Sequence, residues 1–393
     1  GRVYGRIVPM LDRGKDGVPP PAWLLRLMFR WLPPIRRRLA LARAWEGDEP
    51  IASVLDAWDD RGRAATASRT AELRAMDRAT MSEVTLADHL GEVLEHIEQV
   101  AESHFELSFA GTYVPTGRLG LLTEELLGWE PFDIITLVQG FGDASTEHGR
   151  AVERLAAQLG VEEIRAATAH PATLAGQPAV EAYLDAHGHR VNADLARPTE
   201  AEDLGLVAGH LRRFTATPPD RRDPRVGAHA AERRALALIG DLADRERFGA
   251  ALALARRGRP YGDETEAAAL EALTLVRFVA LEAANRFVAS DRLGSADDIW
   301  FLELEEMATA LRSPAEPLPD IELRKREFAW AMENPAPPHF GPPPAPPPPI
   351  EALPSHSRST VGAVIWTTVS TPARTGDAAP ADHLRHGEAA SPG

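Results

Sequence analysis

The chain has 393 residues, 44% of them hydrophobic and 26% charged, which is length for two or three domains and apolar material for a sizeable buried core. Its 43 basic residues stand against 58 acidic ones, and the resulting net charge of −15 repels phosphate backbones and anionic lipid, so neither nucleic acid nor a membrane surface is an expected partner. Cysteine is absent, which removes disulfides, thiolate nucleophiles and cysteine-ligated zinc, and fits a reducing, cytoplasmic setting.

The opening "GRVYGRIVPM" lacks a basic region followed by an apolar run and a cleavage site, so it does not read as a secretory leader. "PAWLLRLMFRWLPPIRRR" is interrupted by Arg26 and Arg30 and is too short to span a bilayer; the spacing of Trp23, Leu27 and Trp31 predicts an amphipathic, core-facing helix. Lysine occurs only at Lys15 and Lys325, and the single Gly-Lys pair, Gly14-Lys15, is followed by Asp16, whose carboxylate opposes phosphate; a Walker-type loop is excluded.

Helical periodicity dominates the rest. In "DHLGEVLEHIEQVAESHFEL", Leu90, Val93, Leu94, Ile97, Val100, Ala101 and His104 share one stripe, opposite Glu92, Glu95, Glu98 and Glu102. "STEHGRAVERLAAQLG" reads as a helix capped by Ser145 and stopped at Gly160. Thr199 and Glu202 make a T-x-x-E capping box ahead of Leu204, Val207, Leu211 and Phe214. Two long Ala-rich helices are expected over 228–258 and 263–294, the second apolar nearly all round and therefore central. Short strand signals occur at "TYVP", "DIWFL" and "VIWTTV". The predicted class is all-α, a multi-helix domain with a few short strands. From Asn334 a polyproline tract, "NPAPPHFGPPPAPPPPIEALP", predicts a stiff extended spacer and a domain boundary.

His89, His96 and His104 lie among many glutamates, but no histidine has a glutamate three positions before it and no His-Glu-x-x-His occurs, so no metal ligand is expected. Gly140-x-Gly142 lacks the third glycine of a dinucleotide loop and reads as a turn into the next helix. G-x-S-x-G is missing. On the apolar helix, Glu282 and Arg286 are four apart and can pair, whereas Arg277 has no carboxylate at either four-residue neighbour and needs one from another helix, or a bound anionic or polar ligand. In "AHGHR", Val180, Tyr183, Leu184 and His187 form one helical stripe, Gly188 is the expected left-handed stop, and His189 and Arg190 lie beyond it without a capping duty.

Several segments occur together in the order "GRVYGRIVPML", "LLGWEPFDIITLVQGFGDASTEHGRAVERLA", "YLDAHGHRVNADLARP", "FVASDRLGSADDIWFLELEEM" and "HGEAASPG". In that order the chain resembles the phosphoenolpyruvate-utilising dikinases, most nearly their rifampicin phosphotransferase-like branch, over residues 1 to about 312 and the last seven. The resemblance implies a substrate domain that works with an ATP-grasp domain and a swivelling phosphohistidine domain, in the same or a companion chain. It also implies ATP and Mg2+ as cofactors of the full enzyme, with none bound by this chain, and a small-molecule acceptor.

On this reading residues 1–333 are the helical substrate-binding domain, 334–386 a Pro-rich linker or hinge, and 387–393 the start of a swivelling domain. The family's T-x-G-G-x-x-S-H pattern is missing, since Ser103-His104 and Ser355-His356 have no preceding glycine pair, so the chain is not expected to turn over ATP alone. The candidate substrate-binding residues are His189, Arg190 and Arg277, with His189 as candidate base on the acceptor hydroxyl. The competing expectations are a stand-alone helical binding or scaffold protein and a fragment of a phosphoenolpyruvate synthase.

Overall fold

The computed structural model describes residues 47–142, 144–191, 194–216, 223–334 and 355–370, and every regular element among them is helical. The helix expected around Trp23, Leu27 and Trp31, the Gly14-Lys15-Asp16 segment, the proline tract and the terminal "HGEAASPG" lie outside the described residues.

The chain first forms α1 (Glu49–Ala57), a π-turn (Trp58–Gly62) and α2 (Arg63–Ala75). Next comes α3 (Glu83–Leu107), started by Ser82, whose hydroxyl accepts from the Thr85 N–H at 3.1 Å. A second π-turn (Ser108–Tyr113) leads without a break into α4 (Val114–Leu127), which ends on the left-handed Gly128. After the short α5 (Pro131–Thr136) follow α6 (Ala144–Ala169), α7 (Pro178–His187), α8 (Leu204–Ala216) and α9 (Pro224–Leu238). The chain then builds α10 (Leu242–Ala289), a 3-10 turn (Ala296–Phe301), α11 (Leu304–Arg312), α12 (Ile321–Glu333) and α13 (Ser355–Ser370).

The three stretches expected as short strands are helical instead. "TYVP" crosses from the second π-turn into α4, "DIWFL" lies in the 3-10 turn and its end, and "VIWTTV" lies in α13. Each is a brief apolar run, and such a run fits a helix side packed against neighbours as well as it fits a buried strand. Here Val114, Ile299 and Trp366 are all buried against other helices.

The boundary between the two long Ala-rich helices also differs from expectation. The break falls at residues 239–241, where the Asp241 carboxylate accepts from the Ala243 and Asp244 N–H groups at 2.8 and 3.1 Å and starts a new helix. From there α10 runs for 48 residues, about 72 Å at the usual rise, straight through Pro260. Proline inside a helix costs about 3 kcal/mol. Close to Pro260 the helix crosses the second π-turn: a Cβ on Gly258 would stand 2.1 Å from the Gly111 carbonyl oxygen, so the two backbones are in direct contact. α6 is two helices joined at Gly160, which takes φ 80° and ψ 172°, so the stop read at Gly160 is a kink from which the helix resumes.

α10 is the shaft on which the rest packs. Leu86, Leu90 and Val93 of α3 meet Val276, Val279, Ala283 and Phe287 of α10, with Met307 and Leu311 of α11 closing the layer. A separate cluster joins α6, α7 and α8 through Val152, Leu155, Leu159, Tyr183, Val207 and Leu211. The range 334–386, expected as a hinge, contains α13, whose Ala363 and Trp366 lie directly on Gly117 and Gly120 of α4. No helix among the described residues is long and apolar enough to cross a membrane.

Two histidines of α3 are core residues. His89 is 3% exposed with neither ring nitrogen hydrogen-bonded among the described residues, while the His96 Nε2 meets the Thr70 hydroxyl at 2.8 Å. Burial pushes both rings below the ordinary histidine pKa, with Arg78 adding to the effect at His89 and Arg69 at His96. The unfolded chain therefore binds protons that the folded chain refuses. Stability from these groups is complete above about pH 6.5 and is lost as pH falls toward the depressed folded values. The melting temperature is expected to drop over that acid range, and a His89→Leu variant should show a shallower drop when melts are compared from pH 7.5 down to 5.

Candidate functional site

The loop that follows α7 lies against α10, and three residues on one face of α10 fasten it there. Glu271, Thr274 and Arg277 are spaced three apart and so project from neighbouring turns. Glu271 accepts from Arg190 Nε at 2.9 Å, the Thr274 hydroxyl accepts from the Val191 N–H at 3.1 Å, and Arg277 donates to the Leu195 carbonyl at 2.7 Å.

Arg277 has a second attachment. Its Nε reaches both oxygens of Glu202 at 3.0 and 2.9 Å, and its guanidinium lies over the Trp300 ring, 5.4 Å from the centroid. Glu202 is the acidic half of the T-x-x-E box and also accepts from the Thr199 N–H at 2.8 Å. Burial alone would raise the Glu202 carboxyl, but the hydrogen bonds from Arg277 and Thr199 outweigh it and hold the group below the ordinary range. Arg277 thus takes its carboxylate from a residue 75 positions away in sequence.

Gly188 is not left-handed: it keeps φ −73° and ψ −7°, and its N–H bonds to the Leu184 carbonyl at 2.8 Å. The chain turns without the left-handed step because the Gly188 carbonyl is engaged in turn by the Ala201 N–H at 2.9 Å, which ties the start of the loop to its end. His189 is half-buried, its Nδ1 makes no hydrogen bond among the described residues, and burial followed by the nearby Arg74 charge lowers its pKa. Arg190 is ion-paired with Glu271, which Arg74 also approaches at 3.7 Å. The structure therefore gathers His189, Arg190 and Arg277 on one loop–helix junction, with both guanidinium groups occupied by carboxylates.

Two features adjoin this junction. One is a cleft of about 440 Å³ with Leu195, Val276, Ile299, Trp300 and Met307 on its apolar walls and Asp194 and Glu303 at its edge. The other is a polar cluster between α6, α7 and α8. There His148 Nε2 and His210 Nε2 stand 3.5 and 3.2 Å from Glu200 Oε1, while the Tyr183 hydroxyl donates to Glu200 Oε2 at 2.6 Å. The His187 ring is near, its centroid 6.3 Å from that of His148 and 5.5 Å from that of Tyr183. Burial lowers both imidazoles, His148 to about 4 with the His187 and Arg190 charges adding to it, and raises Glu200 and Tyr183. At neutral pH both imidazoles are neutral and Tyr183 is a phenol.

The reading of the sequence did not single out these residues. Glu200 precedes α8, which begins only at Leu204, and its side chain turns toward His148 of α6. His148 and His210 are 62 positions apart with no common motif, and only the packing of α6 on α8 joins them.

The glycine pair of "QGFG" does not cradle a phosphate. A Cβ on Gly140 would meet Pro224 at 2.8 Å and one on Gly142 would meet Asp263 at 3.0 Å, so the chain's own side chains fill the loop. Arg225 closes it further by donating to the Gly140 carbonyl at 2.8 Å.

Compared with known proteins, residues 104–262 match the family model described as the rifampicin phosphotransferase fourth domain. No curated protein matches the chain. The matched stretch runs from the end of α3 to the middle of α10 and includes His148, His189, Arg190, Glu200 and His210, while Arg277 and Trp300 lie beyond it. Over residues 104–262 the chain is therefore similar to the fourth domain of rifampicin phosphotransferase.

Proposed function

We propose that this chain holds the phosphoryl acceptor of an ATP-dependent dikinase of the rifampicin phosphotransferase type, with ATP, Mg2+ and the phosphate-carrying histidine supplied by ATP-grasp and swivelling segments in the same or a companion chain. The family match over residues 104–262 carries the reading. The cleft beside Arg277 supports it, because its volume of about 440 Å³ and its Leu195, Val276, Trp300 and Met307 walls suit an apolar small molecule. Trp300 offers a flat face for an aromatic ring, and the Arg277 guanidinium on that indole fixes the ring's orientation.

Phosphoryl transfer rests on positioning and on exclusion of water more than on covalent chemistry by the protein. Glu202 and Arg277 would do the positioning by locking the loop that carries His189. Burial keeps the His189 imidazole neutral, the form able to take the proton of an acceptor hydroxyl.

Thermal melts with a panel of acceptors test this. Rifampicin at a hundred times its dissociation constant should stabilise the chain by about 2.7 kcal/mol. For a chain this size that is a rise of several degrees in melting temperature, with pyruvate giving none. A rise with pyruvate and none with rifampicin would favour the phosphoenolpyruvate synthase alternative, and formation of AMP from ATP by the chain alone would contradict the assignment.

A further inference from the structure

The cluster between α6, α7 and α8 has the donor set and spacing of a metal centre. We propose that His148, Glu200 and His210 bind one zinc ion, with a fourth position left open to water.

Geometry carries the proposal. His148 Nε2, His210 Nε2 and one Glu200 oxygen all lie within 4.8 Å of one another. For zinc at its usual bond lengths, neighbouring donors of a tetrahedron are about 3.3 Å apart. The two histidine-to-carboxylate distances here are 3.5 and 3.2 Å. An ion of that size needs only small side-chain rotations to be seated among the three.

The surroundings are those of a metal centre too. The second Glu200 oxygen is held by the Tyr183 hydroxyl at 2.6 Å, a bond that aims the first oxygen at the two imidazoles and leaves it available. Each histidine side chain is 30% exposed whereas Glu200 is 12% exposed, so the carboxylate is anchored and the imidazoles face an accessible side. Two imidazoles and one carboxylate form a borderline donor set that prefers zinc over magnesium or calcium, and three protein ligands leave room for a fourth, exchangeable one.

The charged groups nearby are accommodated. Arg190 is engaged by Glu271. Exposed Arg213 approaches His210 Nδ1 at 3.5 Å, a contact that must give way when zinc takes Nε2 and the proton moves to Nδ1. Zinc would join α6, α8 and the loop bearing Glu200, and would thereby stiffen the turn that carries His189. The site stands whether or not the acceptor reading does.

The test is a calorimetric titration of tag-free full chain with zinc chloride, alongside visible spectra of the chain loaded with Co2+. The expected result is one ion per chain and the intense visible absorption of tetrahedral cobalt. His148→Ala and Glu200→Gln should weaken binding on the order of a hundredfold, and Tyr183→Phe about tenfold. Exposed His170→Ala should leave it unchanged. Arg213→Ala should tighten it. Circular dichroism reports whether His148→Ala folds; if it does not, His210→Gln and the cobalt spectrum of the unaltered chain decide. Absence of stoichiometric zinc binding, or equal binding by a His148→Ala/His210→Gln chain, overturns the site.

Discussion

Replacing Arg277 with methionine is expected to destabilise the chain by about 3 kcal/mol in chemical denaturation, an unusually large loss for one substitution. The Arg277 side chain is 8% exposed and serves Glu202, the Leu195 carbonyl and the face of Trp300 together. Methionine fills similar space but leaves the partly exposed Glu202 carboxylate without its cation and the Leu195 carbonyl without its donor. Adding Glu202→Gln to Arg277→Met should restore part of the loss, because it removes the uncompensated charge; coupling between the two substitutions is the mark of a direct pair. A loss under about 1 kcal/mol would mean that the loop is held in place mainly by Arg190 and Thr274.

Gly117→Leu is expected to release α13 from α4. A Cβ on Gly117 would lie 1.9 Å from the Ala363 carbonyl oxygen, and the obstacle is backbone, which cannot rotate aside. The helices must separate, which withdraws Trp366 from the cluster around Leu119, Phe248 and Leu252 and breaks its indole hydrogen bond to Glu124 at 2.6 Å. The expected loss is about 3 kcal/mol, together with rapid proteolysis within α13, whereas Gly91→Leu, on an open face of α3, should leave proteolysis unchanged. Unaltered protease resistance of the Gly117→Leu chain would show that α13 does not dock in this way.

The sequence displayed its helices well because their signals are local. The Glu202 half of the T-x-x-E box acts within one turn, and periodic Leu and Val residues mark the buried stripe of α3, whereas the Asp241 cap that breaks the Ala-rich run was not read. The Glu282–Arg286 pair, four residues apart, is formed at 2.8 Å. What local signals could not give was continuity through Pro260, nor the Gly111–Gly258 crossing near it, which joins segments 147 positions apart. The docking of α13 was hidden for the same reason, its complement being a pair of small residues on α4.

At the candidate site, sequence spacing exposed His189, Arg190 and the unsatisfied charge of Arg277, but not the carboxylates that meet them. Glu271 lies 81 positions from Arg190 and Glu202 lies 75 from Arg277. The reading of Gly188 as left-handed rested on its position at a helix end, whereas the bond from Ala201 to its carbonyl belongs to the return of the loop. The His148–Glu200–His210 cluster joins two helices and a loop, so a search for ligand pairs within one helix could not meet it.

The proposed acceptor site is the cleft beside Arg277. The most direct measurement is an isothermal titration of the purified chain with rifampicin, repeated on Trp300→Ala. Saturable binding of one molecule per chain, weakened at least about tenfold when the indole is removed, is the predicted result. Absence of heat and of saturation, or binding that ignores Trp300, would contradict it.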